Sequence, residues 1–257
     1  MSAVLDDAPV GSASAATGRA AVTAEAAPTS AVAIVLLGTG VVGGALLKLL
    51  NTPAAASLRL VGAANSRRQQ TDPVSLASRS LREQMNHRGE PRDNASLLAA
   101  LDASGAAAKV IVDATASASL AARHAEWLAR GYHVVTANKA LAGGELSGWR
   151  ALQAALAHGG RYGDAATVGA GLPVLSTLRR LRSCGDSLLT LEGVFSGSLS
   201  WLFNQYDGGR PFSELLREAR QLGYTEPDPR SDLSGEDVAR KLLIIARSAG
   251  FSLGTDE

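Results

Sequence analysis

The sequence predicts an α/β protein, a doubly wound parallel sheet over residues 31–145 followed by an α+β unit over 146–257. Three observations predict it. Four aliphatic runs, AVAIVLL (31–37), LRLVGAA (58–64), KVIVDAT (109–115) and HVVTANKAL (133–141), lack polar alternation and suit strands covered on both faces. Helical stretches separate them, the pattern of a parallel sheet with crossovers. Beyond residue 145 the strict alternation stops.

Residues 1–30 are rich in Ala, Ser and Thr, with acids near the start and no basic stretch before an apolar core; they read as a flexible tail, not a signal peptide. The first strand runs into GTGVVGGALLKLL, where Gly38, Gly40 and Gly43 fall at G-x-G-x-x-G spacing. Between a buried strand and an apolar helix, this spacing predicts a Rossmann-type dinucleotide turn. It gives a tight bend, backbone close to a pyrophosphate, and a helix packed tightly on its strand. Thr39, Val41 and Val42 complete the turn, and N–H groups at the helix start would hold the anion.

The second strand ends in Asn65-Ser66-Arg67-Arg68, where an NAD-selective fold places an acid on the ribose 2′-OH. No acid stands there. Asn65, Arg67 and Arg68 could instead receive a 2′-phosphate, which leans toward NADPH, with NADH as the other option; an ordinary basic turn is the alternative. The third run brings Thr115, Ala116 and Ser117 to a strand end, and the fourth brings Asn138 and Lys139 to the next. Open α/β sheets bind ligands at this edge. Lys139 alone could equally be a solvated surface lysine.

In the second unit, RYGDAATVGAGLPVLSTLRRLRSCGD reads as strand, glycine-rich turn and helix, and LLTLEGVFSGSLSWLFNQYDGG as another strand and a short amphipathic helix. The stretch GYTEPDPRSDLSGEDVARK (223–241) then packs charges against an apolar run. Two readings of it stand. In one, Ser234 caps a helix, Asp237 reaches back as in a capping box, and the i, i+4 pair Asp237–Lys241 adds only about 0.2–0.5 kcal/mol. In the other, Val238, Leu242, Ile245 and Ala249 form an apolar stripe at about 100° per residue, with Arg240 and Arg247 nearly opposite. Asp237 and Lys241 then lie along its border, partly desolvated and open to ligand.

Composition narrows the function. A net charge of +1, with no Lys/Arg cluster beyond short pairs, argues against a dedicated nucleic-acid binder. No apolar run reaches the roughly 18 residues of a membrane span. The single cysteine, Cys184, excludes an internal disulfide and a thiolate-rich zinc site, and fits a reducing cytoplasm. His87, His124, His133 and His158 show no ligand spacing, so no transition metal is expected. A small-molecule substrate and a second copy of the chain, as a homodimer, are the expected partners.

GTGVVGG, VDAT, VVTANKALAG, TVGAGLPVLSTLRRLRSCGD, GVFSGSLSWLFNQYDG and GYTEPDPRSDLSGEDVARK occur in this order. Together they resemble homoserine dehydrogenase, most closely the dehydrogenase portion of bifunctional aspartokinase/homoserine dehydrogenase, from about residue 32 onward. The resemblance implies NAD(P)H-dependent interconversion of aspartate 4-semialdehyde and homoserine, in threonine and methionine synthesis. It implies Lys241 as proton donor and acceptor, with Lys139 between cofactor and substrate. Glu226 and Asp237 match substrate-holding carboxylates, and Asp232 lies between them. It also implies a sodium ion on the backbone carbonyls of Val168, Ala170 and Leu172, although Ala165 stands where many members carry a glutamate. The family pattern continues past residue 257, so the second unit is expected to be incomplete, and a catalytically impaired NADP-binding or regulatory remnant is the alternative function.

Overall fold

The computed structural model describes residues 32–225 and 229–255. Its centre is β1 (Val32–Leu37), which pairs in parallel with β2 (Leu58–Ala64) on one side and β5 (Ala108–Asp113) on the other. From β5 the sheet continues in parallel through β6 (His133–Thr136) to β7 (Tyr162–Gly163). From β2 it continues through β3 (Arg68–Thr71) and β4 (Glu90–Pro91), giving the order β4-β3-β2-β1-β5-β6-β7.

The two pairings beyond β2 are antiparallel and extend the parallel sheet at that edge. The cause is local. The Asn65 carboxamide oxygen accepts the N–H groups of Arg67 and Arg68 at 2.8 and 2.7 Å and folds the chain straight back, and so short a connection cannot make a parallel crossover.

Successive residues of β1 point to opposite faces. Ala33, Val35 and Leu37 enter a core with α3 (Asn94–Ala103), α5 (His124–Ala129) and α6 (Leu146–Leu156), in which Leu101, Trp127 and Leu152 are fully buried. Ile34 and Leu36 enter a second core against α1 (Val41–Leu49) and α2 (Leu81–Arg88). This two-sided burial is why the strand sequences read as unbroken aliphatic runs. α4 (Ala118–Ala121) is a single turn capped by the Ser117 hydroxyl. α6 packs on this sheet through Leu152 and Ala155, and β7 pairs with β6, so that the sheet runs to Gly163.

From residue 164 the described residues form helices and irregular segments. α7 (Val174–Ser183) packs on α11 (Glu236–Ala249) through Leu175, Ile244 and Ile245. α8 (Gly197–Gln205) and α9 (Phe212–Gln221) share a small cluster of Leu202, Leu215 and Ala219, and α10 (Arg230–Leu233) precedes α11. Residues 188–194, expected as a strand, form no ladder with any described segment, and Leu189 and Val194 are 92% and 77% exposed. Without a neighbour to complete its hydrogen bonds, a β-prone sequence is not a strand.

Candidate functional site

The glycine-rich turn meets the geometry its spacing predicts. Gly38 has φ +92°, and a Cβ there would stand 2.7 Å from the Ala114 carbonyl oxygen and 2.9 Å from Thr115 Cγ2. A Cβ on Gly43 would meet the Gly38 carbonyl oxygen at 1.8 Å, so only glycine lets α1 start this close to β1. A Cβ on Gly40 would meet nothing within 4 Å, which leaves the outer wall of the turn open to a ligand. Thr39 is buried, while Val41 and Val42 are exposed at the first turn of α1, where backbone N–H groups have no helical acceptor. These residues fit a dinucleotide pyrophosphate.

At the end of β2, Asn65 spends its carboxamide oxygen on the turn. Arg68 donates to the Gly89 carbonyl at 2.7 Å, and Arg67 is exposed. Arg92, not singled out in the sequence, donates to the Asn65 carbonyl at 3.1 Å and adds a third guanidinium to this edge.

The strand ends of β5 and β6, the loop before α8, and the start of α11 enclose a polar cleft of about 770 Å³. Lys139 and Lys241 converge there on one carboxylate: Lys139 Nζ lies 3.4 Å from Asp237 Oδ1 and Lys241 Nζ 2.5 Å from Asp237 Oδ2. Lys241 also donates to the Phe195 carbonyl at 2.7 Å. Burial works against the charged Asp237 carboxyl, but the hydrogen bond from Lys241 and the charges of both lysines outweigh it and hold the group below the usual carboxylate range. Two ammonium groups on one carboxylate leave the cluster with one net positive charge facing the cleft.

α11 decides between the two readings of the charge-rich stretch. Its N-cap is Gly235 at φ +72°, and the Ser234 hydroxyl accepts the Glu236 N–H at 3.3 Å. Asp237 does not reach back to form a capping box. The apolar stripe also differs from the one expected: the buried residues are Ile244, Ile245, Arg247 and Ser248, while Leu242 is 44% exposed. Arg247, expected opposite the apolar face, is 2% exposed because the carbonyls of Ala142 and Leu253 take its guanidinium N–H groups and Trp149 lies beneath it. Asp237 and Lys241 thus continue the buried line of the helix toward the cleft.

Asp232 also lines the cleft and accepts the Ser198 hydroxyl at 2.7 Å; Ser196, 3.1 Å from Ser198, caps α8 through the Leu199 N–H. Glu226 lies outside the described residues. The turn at Val168, Ala170 and Leu172 stands apart from this cluster and takes left-handed backbone at Gly169 (φ +78°) and Ala170 (φ +50°). Asp164, the carboxylate nearest in sequence to Ala165, is buried and held by both Arg179 Nη atoms at 2.6 Å, so it is not available to a cation. Another hollow, of about 840 Å³, runs along the Leu242–Ala246 side of α11, but its walls are mainly aliphatic, and the convergent charges lie in the polar cleft.

Sequence reasoning missed Asp113, whose carboxylate binds Thr115, His124 and Asn138 beneath the cleft. An acid at the end of an otherwise aliphatic strand was its one visible signal.

Two family models match the chain: "Homoserine dehydrogenase, NAD binding domain" over residues 38–162 and "Homoserine dehydrogenase" over residues 173–257. A maize bifunctional aspartokinase/homoserine dehydrogenase 2, described as chloroplastic, is 41% identical over 86% of this chain and 25% of its own length. A homoserine dehydrogenase of Emericella nidulans is 46% identical over 59% of this chain and 43% of its own. The chain thus spans about a quarter of the maize relative. Among solved structures, homoserine dehydrogenase from Thermoplasma acidophilum superposes with a TM-score of 0.70 at 22% identity, covering 87% of this chain and 71% of that one, and so shares its fold. With the dinucleotide turn inside the first match and the Asp237–Lys241 pair inside the second, the chain belongs to the homoserine dehydrogenase family.

Proposed function

We propose that the chain interconverts L-aspartate 4-semialdehyde and L-homoserine with a nicotinamide cofactor. The observation that carries this is the convergence of Lys139 and Lys241 on Asp237 in a cleft bordered by Thr115, the residue packed against the dinucleotide turn. The bound cofactor supplies the hydride that reduces the aldehyde carbon. Lys241 Nζ donates a proton to the oxygen as it takes up negative charge, and in the reverse direction accepts the hydroxyl proton. Lys139 adds positive charge beside that oxygen. Asp237 holds both ammonium groups in place, and the Phe195 carbonyl fixes Lys241 from the other side.

Asp232, oriented by Ser198, and Glu226 by its match to the family are the proposed partners of the substrate ammonium group. The helices from α7 onward form the substrate unit in this reading. Arg67, with Arg68 and Arg92 beside it, favours NADPH over NADH through the 2′-phosphate. A sodium ion would have only the carbonyls of Val168, Ala170 and Leu172, since Asp164 is taken by Arg179; these residues fit it poorly and no step is routed through it. The exposed apolar side chains of the second half, Leu189, Val194 and Phe203 among them, favour a homodimer. Among the described residues no helix is long and apolar enough to cross a membrane. The lone, exposed Cys184 suits a reducing cytoplasm.

The test is NADPH oxidation with aspartate semialdehyde, followed spectrophotometrically. Lys241→Met is expected to lower kcat by about 10²–10⁴-fold while the NADPH dissociation constant stays within about twofold. NADPH binding without turnover in the unvaried chain would overturn the enzymatic reading and favour a cofactor-binding remnant.

A further inference from the structure

A hydrogen-bonded chain that the proposed chemistry does not use runs beneath the cleft. Tyr162 OH lies 3.0 Å from His124 Nδ1, and His124 Nε2 lies 2.9 Å from Asp113 Oδ2, with His124 and Asp113 fully buried. A carboxylate only accepts, so Nε2 is the donor; with the proton there, Nδ1 accepts from the Tyr162 hydroxyl. Burial opposes the charged Asp113, yet hydrogen bonds from His124 and Thr115 hold its carboxyl below the usual range. Burial, reinforced by Asp164 and Asp113, raises the Tyr162 phenol, which therefore keeps its proton.

Asp113 passes this order on. Its Oδ1 accepts the Thr115 N–H at 2.9 Å and the Thr115 hydroxyl at 2.6 Å, and its Oδ2 also accepts from Asn138 Nδ2 at 2.9 Å. Thr115 stands where a Cβ on Gly38 would clash, and the Asn138 carboxamide oxygen accepts the Ala140 N–H at 3.0 Å, pinning the backbone on both sides of Lys139. One carboxylate therefore fixes the wall between the dinucleotide turn and the lysine cluster.

We infer that His124 is a positioning residue: through Asp113 it holds Thr115 and Asn138 in the orientation that receives the cofactor. The identity of the ligand rests on the proposed function; the ordering of the wall does not. The plain alternative is that His124 merely fills space in the core.

Two amides separate these roles, because a glutamine nitrogen reaches the place of Nε2 and an asparagine nitrogen that of Nδ1. His124→Gln keeps a donor for Asp113, and its NADPH dissociation constant and its amide hydrogen exchange at residues 114–117 and 137–140 are expected within about threefold of the unvaried protein. His124→Asn leaves Asp113 short of a donor, and both quantities are expected to rise about tenfold. Equal exchange and equal affinity in the two variants would overturn the inference and leave a space-filling histidine. If the unvaried chain binds no NADPH, the functional reading fails, while exchange at the two segments still decides this one. If His124→Asn does not fold, Asp113→Asn, which turns one acceptor into a donor, takes its place with the same expected release of both segments.

Discussion

Gly40 and Gly43 sit three residues apart in one turn and answer to different constraints. Gly43 is fixed by packing, since a methyl group there would lie 1.8 Å from the Gly38 carbonyl oxygen. Gly40 faces open space, and its φ of −70° lies outside the left-handed region. Gly43→Ala is therefore expected to cost about 1–3 kcal/mol or more in unfolding free energy. Gly40→Ala is expected to change stability by no more than about 0.5 kcal/mol and to weaken NADPH binding by about tenfold or more. Urea unfolding and nucleotide fluorescence titration give both numbers. If Gly40→Ala kept full affinity, the turn would not be where the pyrophosphate lies. The glycines could be read from sequence because backbone constraint leaves a residue type behind at fixed spacing. Asp113 could not, because its partners His124 and Asn138 stand 11 and 25 residues away and only the sheet brings them together.

At the scale of elements, the four parallel strands were legible: two-sided burial writes β1 and β2 as aliphatic runs, and β6 keeps such a run although Val135 on its outer face is 46% exposed. The β3–β4 edge was not: four polar residues in RQQT carry no such mark, and the carboxamide of Asn65 made the turn. The apolar face of α11 was misplaced for a related reason. Periodicity treats every arginine as solvated, whereas backbone carbonyls take Arg247 into the core and turn the helix so that Asp237 and Lys241 face the cleft. α11 is thereby fastened to the end of β6 through Lys139 and Asp237. Because the folded carboxyl lies below its ordinary range, this fastening is fully present above the unfolded value of about 3.9 and is lost as pH falls through the folded one. The urea midpoint of Asp237→Asn should trail that of the unvaried protein by a constant amount between about pH 7 and pH 5, and the gap should narrow below about pH 4. High salt at pH 7 should narrow it too, since the carboxylate is 44% exposed. A gap indifferent to both pH and salt would mean that packing, not charge, holds the helix start.

Across the molecule, burial is unevenly shared among the described residues. The two cores of the sheet hold nineteen and eight buried apolar or aromatic side chains, whereas the helical half holds clusters of five and three. The cluster of five includes Ala142, from the loop after β6, and so ties α7 and α11 to the sheet, while α8 and α9 rest mainly on each other through Leu202, Leu215 and Ala219. Local opening follows local burial, so α8 and α9 should exchange their amides by a partial unfolding well below the global one. The cleft lies between the two regions, with Thr115 and Lys139 on the sheet side and Ser198 on α8. A ligand touching one side should stabilise that side alone. NADPH at a hundred times its dissociation constant should raise the protection of β1 and β5 amides by about 2.7 kcal/mol and leave α9 unchanged. Homoserine added with it should then slow exchange in α8 and α9, because Asp232, its proposed contact, is held by Ser198 of α8. Native-state hydrogen exchange read by mass spectrometry measures each segment in one experiment. If NADPH alone protected α9 as strongly as β1, the two regions would open as one unit, and substrate would not be what joins them.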